Sequence, residues 1–273
     1  MNRFDKYNQL LHGETVGWIN GCRLIKELTP EDYDLLLSYL TYKKTRLRWQ
    51  TADRLGKIGD SRAVNPLINA LQDESWLVRK HAVKALGRIG SPIVIEPLIS
   101  MMKDECPYVR RSTIWALKTE QFTKDPRVTE ILLCALGDTD KVVRAQSAWA
   151  LGYVDSPMVV LAIAEAVKDR DNNVSWRAIG ALQRIGSPAT EVLIKLLGSS
   201  DDEVRYRSVK ALGKVGDERA LDAIKGGLDD PSEKVRKRSE FALRQMGSRN
   251  QSSAQLLPNS KVISWFKALF KRD

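Results

Sequence analysis

The sequence predicts an all-α protein, a right-handed α-solenoid of about seven two-helix repeats with a period of ~31 residues. Three observations carry that reading. A Val-Arg pair and its variants recur, with the anchor at Arg48, Arg79, Arg110, Arg144, Ser175, Arg205 and Arg236, at spacings of 31, 31, 34, 31, 30 and 31. A short apolar segment precedes each anchor, as in AVNPLINAL, VIEPLISMM, VTEILLCAL and ATEVLIKLL. A glycine such as Gly59, Gly90, Gly186 or Gly216 then closes the second helix with a left-handed cap. Strand signals are absent. Helix pairs of this size cannot bury their apolar faces alone, so they must stack on their neighbours.

The chain begins with an expected N-terminal cap over 1–28, one or two helices. Thr29-Pro30-Glu31-Asp32 then reads as a helix start: a hydroxyl N-cap, proline in the first turn and acids on the positive end of the dipole. The repeats occupy 29–247. Residues 248–260, SRNQSSAQLLPNS, read as a polar linker. Residues 261–273 form a basic amphipathic helix, with Val262, Trp265, Phe266, Leu269 and Phe270 on one face and Lys261, Lys267, Lys271 and Arg272 on the other. That helix is expected to be a cap or a partner site, and only a weak membrane contact.

Composition narrows the function. Of 273 residues, 44 are Lys or Arg and 34 Asp or Glu, a net charge of +10. With two histidines and three widely spaced cysteines, His-rich metal sites and a disulfide framework are excluded, and no metal site is expected. No apolar run approaches the ~18–20 residues that span a bilayer, and the first residues lack a secretory pattern, so a cytoplasmic protein is expected. Cys134 reads as a small buried residue and His81 as a surface one.

Asp73, Asp104, Asp138 and Asp230 each precede an anchor arginine by six residues. Such an aspartate is expected to cap the second helix and pair with its own anchor, forming a ladder. Repeat five keeps Asp169 but has Ser175 at the anchor, and repeat six keeps Arg205 but has Ser199 before it. A pair Asp169–Arg205 is therefore expected across that boundary.

The Asp-to-Arg spacing, with Pro66 and Pro97 in the first helices, resembles the HEAT-repeat family. The ~31-residue period and the Ala-Leu-Gly-x-Ile-Gly ending resemble its short, phycobilisome-lyase-like branch. Ankyrin and tetratricopeptide signatures do not occur.

At 100° per residue, positions three, six, seven and ten after the anchor (Ala82, Ala85, Leu86, Ile89 and equivalents) turn inward. Positions one, five and nine form the opposite face. Of its 21 residues, nine are basic, seven aromatic and one acidic. The candidate partner-binding residues are Trp49, Lys80, Lys84, Arg111, Trp115, Trp149, Tyr153, Trp176, Arg184, Tyr206, Lys210 and Lys214. Rings among cations suit a flat, unsaturated anionic ligand or an acidic protein.

The resemblance implies that this surface meets an acidic phycobiliprotein subunit, with a bilin as the candidate substrate, no permanently bound cofactor, and a second HEAT-like subunit as the candidate partner. If the chain is an enzyme, the resemblance implies a bilin lyase attaching chromophore to cysteine. Asp53, Tyr153 and Tyr206 are the surface groups able to supply a proton, and the sequence does not choose among them. A non-enzymatic scaffold is the alternative. Nucleic acid ranks third, because phosphate-tracking surfaces carry denser Lys and Arg.

Overall fold

The computed structural model describes residues 5–8, 16–19, 22–25, 29–154 and 156–254. Contacts divide the chain into two compact bodies, Met1–Ser147 and Ala148–Asp273. The helix pairs follow the anchors. Repeat one is Pro30–Ser38 with Thr45–Ile58, repeat two Val64–Asn69 with Trp76–Ile89, and repeat three Ile95–Ser100 with Pro107–Leu117. Repeat four is Pro126–Cys134 with Lys141–Leu151, and repeat five Pro157–Ala166 with Asn172–Ile185. Repeats six and seven are Thr190–Leu196 with Asp202–Val215 and Leu221–Gly226 with Glu233–Ala254. An extra helical turn, Glu120–Thr123, lies where the anchor spacing lengthens. The fold is an all-α solenoid.

Local signals place the helix ends. The Thr29 hydroxyl accepts from the amide of Asp32 at 3.2 Å, with Pro30 in the first turn. Gly59, Gly90, Gly186 and Gly216 take positive φ between 72° and 79°, a region where a Cβ clashes. Ala82, Ala85 and Leu86 are fully buried, as the helical phase requires.

The Ala-Leu-Gly stretch has a packing cause. A Cβ on Gly56 would lie 2.5 Å from the Cα of Ala85, and one on Gly87 would lie 2.5 Å from the Cβ of Ala116. Gly213 stands likewise against Ala242. Glycine eight residues after the anchor lets one second helix settle on the next.

The ladder runs differently from the sequence expectation. Four anchor guanidinium groups, those of Arg48, Arg79, Arg110 and Arg205, pair with the aspartate of the following repeat, not with that of their own. Arg48 reaches Asp73 at 2.7 and 2.9 Å, and Arg79 reaches Asp104 at 2.7 and 3.0 Å. Arg110 reaches Asp138 at 2.8 and 2.7 Å, and Arg205 reaches Asp230 at 2.8 and 2.9 Å. The third guanidinium nitrogen stays in its own repeat and donates to the carbonyl six residues back, as Arg79 does to Asp73 at 3.0 Å. That short tether occupies the near side of the arginine, so its fork points outward to the next loop. The Arg205 guanidinium beside Asp230 holds that carboxyl below the usual carboxylate range. The expected Asp169–Arg205 pair is therefore excluded, because Asp230 takes the fork of Arg205. The aspartate is also not the N-cap itself: Asp73 accepts from the amide of Ser75, the N-cap residue, at 2.9 Å.

The ends depart from expectation as well. Strand Val16–Ile19 pairs antiparallel with Cys22–Ile25, where one or two capping helices were expected. Ile19 pairs with Cys22, leaving Asn20-Gly21 between the strands. Asn-Gly between apolar runs is the strongest short-range hairpin signal. Residues 5–8 are helical. There Tyr7 is buried, donating to the carbonyl of Leu47 at 3.0 Å and meeting the Thr51 hydroxyl at 2.7 Å. Its ring stacks on Tyr39 at 3.7 Å. Burial pushes the Tyr7 phenol up to about 12.

At the other end the last helix runs through Gly247 to Ala254, seven residues into the expected linker. Gly247 is not among the positive-φ glycines, and no proline occurs between it and Pro258. The expected helix 261–273 lies outside the described residues. Cys134, expected to be buried, is exposed, because the inward residues of its helix are Val128 and Leu132.

Candidate functional site

The outward stripe of the second helices carries different chemistry in the two bodies. In the first, Trp49 covers His81, ring centroids 4.8 Å apart. Beneath them Asp53 receives Arg88 at 2.9 Å and Lys57 at 2.7 Å. Burial alone would raise the Asp53 carboxyl, yet Lys57 and Arg88 together hold it below its ordinary value. Asp53 is thus a paired carboxylate and not the proton donor the sequence allowed.

His81, expected at the surface, is half-buried. Burial and the neighbouring Lys80 push its imidazole down to about 4, so it is neutral at physiological pH. Lys84 is likewise lowered, first by burial and then by repulsion from Lys80 and Arg88. Among the described residues no carboxylate lies within ion-pair range of Lys80 or Lys84. Asp53 offsets part of the repulsion that Lys80 and Arg88 exert on Lys84.

Arg111 is not available in the same way. Its guanidinium grips Asp140 at 2.9 and 2.6 Å and lies over the Tyr108 ring at 4.9 Å. Trp115 is exposed, with the Lys118 ammonium 6.0 Å from its ring. Two further aromatics join this surface unforeseen. Trp76 and Tyr108 are exposed and stacked at 5.4 Å, and Lys80 lies over Trp76 at 5.5 Å. The signal was present as i,i+4 Trp76–Lys80 and i,i+3 Tyr108–Arg111 spacing in the first turns of consecutive second helices.

In the second body Trp149 and Tyr153 meet edge to face at 4.9 Å. The Arg184 guanidinium lies 4.1 Å from the Tyr153 centroid and 5.3 Å from that of Trp149, and donates to the Trp149 carbonyl at 3.2 Å. A Cβ on Gly152 would fall 2.7 Å from that guanidinium, so glycine there admits the arginine. Trp176 is more than half exposed, with Arg177 over its ring at 5.4 Å. Phe241 is exposed beside Arg238 at 4.7 Å. Tyr206 is half-buried, Lys210 half-buried and Lys214 exposed, on one helix.

Rings with a cation above one face leave the other face free to stack, and lysines without an ion-pair partner attract carboxylates or phosphates. The arrangement suits binding. It offers no general acid among Asp53 and His81 near neutral pH.

Among the described residues no helix is long and apolar enough to cross a membrane. A comparison with curated proteins finds no match. Among solved structures, the complex of CpcE and CpcF of phycocyanin lyase from Nostoc sp. PCC7120 is similar, at 23% identity and TM-score 0.50, over 94% of this chain and 99% of that one. YibA of Escherichia coli is similar at 18% identity and TM-score 0.56, over 100% and 98%. Kap95p, from a structure with RanGDP, is similar at 13% identity and TM-score 0.62, over 90% of this chain but 36% of its own. These likenesses are of fold. In sequence, the family described as HEAT repeats matches residues 33–118, 64–152, 129–202 and 163–244. With the period, the stacked helix pairs and the ladder between repeats, this establishes that the chain belongs to the HEAT-repeat family.

Proposed function

We propose that this protein binds an acidic protein partner through the basic, aromatic stripe of its second helices. The pair Lys80 and Lys84 carries the reading. Two ammonium groups stand on one helix face without a carboxylate in ion-pair range, one of them lowered first by burial and then by Lys80 and Arg88, and an incoming carboxylate relieves that repulsion. The exposed rings of Trp76, Tyr108 and Trp115 supply flat apolar area in the same body as those charges, and Tyr153 and Trp176 present exposed rings in the second body. The most specific form of the reading is a phycobiliprotein as partner, with its bilin meeting the rings, and the protein acting as a lyase subunit or an accessory to one. The likeness to a phycocyanin lyase complex supports that form through fold.

A spectroscopic titration with free bilin, with and without an apo-phycobiliprotein, tests it on wild type and on Trp115→Ala/Trp149→Ala. A red-shifted complex that the substitutions weaken supports the chromophore reading, and transfer to the acceptor cysteine makes the protein an enzyme. Capture of the acidic protein without bilin leaves a scaffold. Binding of neither overturns the proposal and directs attention to single-stranded nucleic acid.

A further inference from the structure

One rung of the ladder is missing, and both of its members are gone. The anchor of repeat five is Ser175 and the matching loop position of repeat six is Ser199. By the register of the four rungs Arg48–Asp73, Arg79–Asp104, Arg110–Asp138 and Arg205–Asp230, these two serines fall on the same rung. The neutral pair replaces a guanidinium and a carboxylate together.

Three observations give this junction the character of a site. First, a cavity of about 530 Å³ opens there, lined by Ser175, Ser199, Asn172, Lys195, Asp201 and Val204 among others. The equivalent cavity at the Arg48–Asp73 rung, about 500 Å³, is walled by that ion pair and does not include Val78, the counterpart of Val204. Removing the pair therefore deepens the cleft to the buried second helix. Second, the glycine that seats one second helix on the next is replaced by Gln183, so the close approach seen at Gly56, Gly87 and Gly213 has no counterpart here. Third, the loop backbone is shaped for a guanidinium. In repeats one to four, six and seven the anchor donates to the carbonyl six residues back, for example Arg48 to Tyr42 at 3.0 Å, Arg205 to Ser199 at 2.8 Å and Arg236 to Asp230 at 2.6 Å. Loop 169–170 keeps that place in the repeat, while its anchor ends in a hydroxymethyl group.

A guanidinium is already drawn to the edge of this position. Arg207, held by Glu203 at 2.7 Å, extends to the carbonyl of Asn172 at 3.4 Å and the hydroxyl of Ser175 at 3.5 Å. These are long bonds, and Arg207 does not line the cavity. The Ser199 hydroxyl accepts from the Asp201 amide at 3.2 Å and remains able to donate or accept within the cleft.

We propose that the cleft between repeats five and six binds a guanidinium group, presented as an arginine side chain by a partner and seated where the anchor guanidinium lies in the other repeats. The arginine enters from solvent, rests on the loop carbonyls and the two serine hydroxyls, and lays its methylenes toward Val204. Trp176, Arg184 and Tyr206 are not among the lining residues, so this site stands or falls separately from the aromatic stripe.

The test titrates full-length protein with agmatine, with the peptide acetyl-Gly-Arg-Gly-amide, and with 1,4-diaminobutane as an ammonium control of equal charge, read by calorimetry. Agmatine and the peptide are expected to bind saturably, and 1,4-diaminobutane about tenfold more weakly, because an ammonium cannot present the planar fork. Ser199→Asp returns the carboxylate without the arginine and is expected to tighten agmatine by about tenfold. Ser175→Arg/Ser199→Asp rebuilds the rung, and is expected to raise Tm and abolish agmatine binding. Equal affinity for agmatine and 1,4-diaminobutane, no tightening by Ser199→Asp, or undiminished binding to the rebuilt rung would each overturn the proposal. Binding of agmatine but not of the peptide overturns the partner side chain and leaves a free guanidino compound as ligand.

Discussion

Arg79 spans two repeats: its Nε and Nη2 hold the carboxylate of Asp104 at 2.7 and 3.0 Å, while its Nη1 rests on the carbonyl of Asp73 at 3.0 Å. Both side chains are nearly buried, 11% and 4% exposed. Removing either one strands the other, so Asp104→Asn is expected to cost about 2–3 kcal/mol. In double-mutant cycles by urea denaturation, Arg79→Gln is expected to couple to Asp104→Asn by more than about 1 kcal/mol. Its coupling to Asp73→Asn is expected near zero, since that contact uses backbone. The reverse pattern would restore the within-repeat ladder.

Gly87 and Gly180 separate two roles of glycine in these helices. A Cβ on Gly87 would sit 2.5 Å from that of Ala116, whereas one on Gly180 meets nothing within 4 Å. Gly87→Ala is expected to destabilise by about 1–3 kcal/mol through overpacking. Gly180→Ala is expected to stabilise by roughly 0.5–1 kcal/mol through helix propensity. Thermal melts of the two variants check the signs.

His81 makes stability depend on mild acid. Its folded pKa, about 4, lies below the ordinary value of 6.5, so the unfolded chain takes up a proton first. The resulting stability is complete above about pH 6.5 and is lost as pH falls toward 4. Urea midpoints between pH 7 and 5 should decline in wild type and decline less in His81→Leu. Identical slopes would mean that the imidazole is not held neutral.

Lys80 and Lys84 should govern association and Arg111 stability. Lys80→Glu/Lys84→Glu is expected to leave Tm within a few degrees and to slow capture of an acidic protein by tenfold or more at low salt. Arg111→Gln breaks the pair with Asp140 and is expected to lower Tm while changing association less. Stopped-flow association across ionic strength distinguishes the two.

The repeats were legible because their signals are local: an anchor, an apolar face, a left-handed glycine. The partners in the ladder were not, because every repeat offers an aspartate and periodicity cannot say which one a guanidinium takes. The coincident loss at Ser175 and Ser199 held that answer, since two changes in adjacent repeats that cancel mark one contact. Helical phase drew the outward stripe, yet one of its 21 positions, Ala145, is buried, and phase alone could not show that Arg111 is gripped by Asp140 or that Asp53 is enclosed by Lys57 and Arg88. Trp76 and Tyr108 were overlooked because they lie in the first turn, before the anchor. At Val16–Ile25 a two-residue Asn-Gly spacing outweighed the helical expectation drawn from the repeats.

An anchor that clasps its own loop by backbone and the next by side chain makes each repeat directional. A whole repeat inserted at any closed rung carries in one fork and one carboxylate in the required order, and the series closes again on both sides. Growth or shrinkage by complete repeats is therefore tolerated by the ladder, whereas a repeat that brings only its arginine or only its aspartate leaves an unpaired charge at one junction.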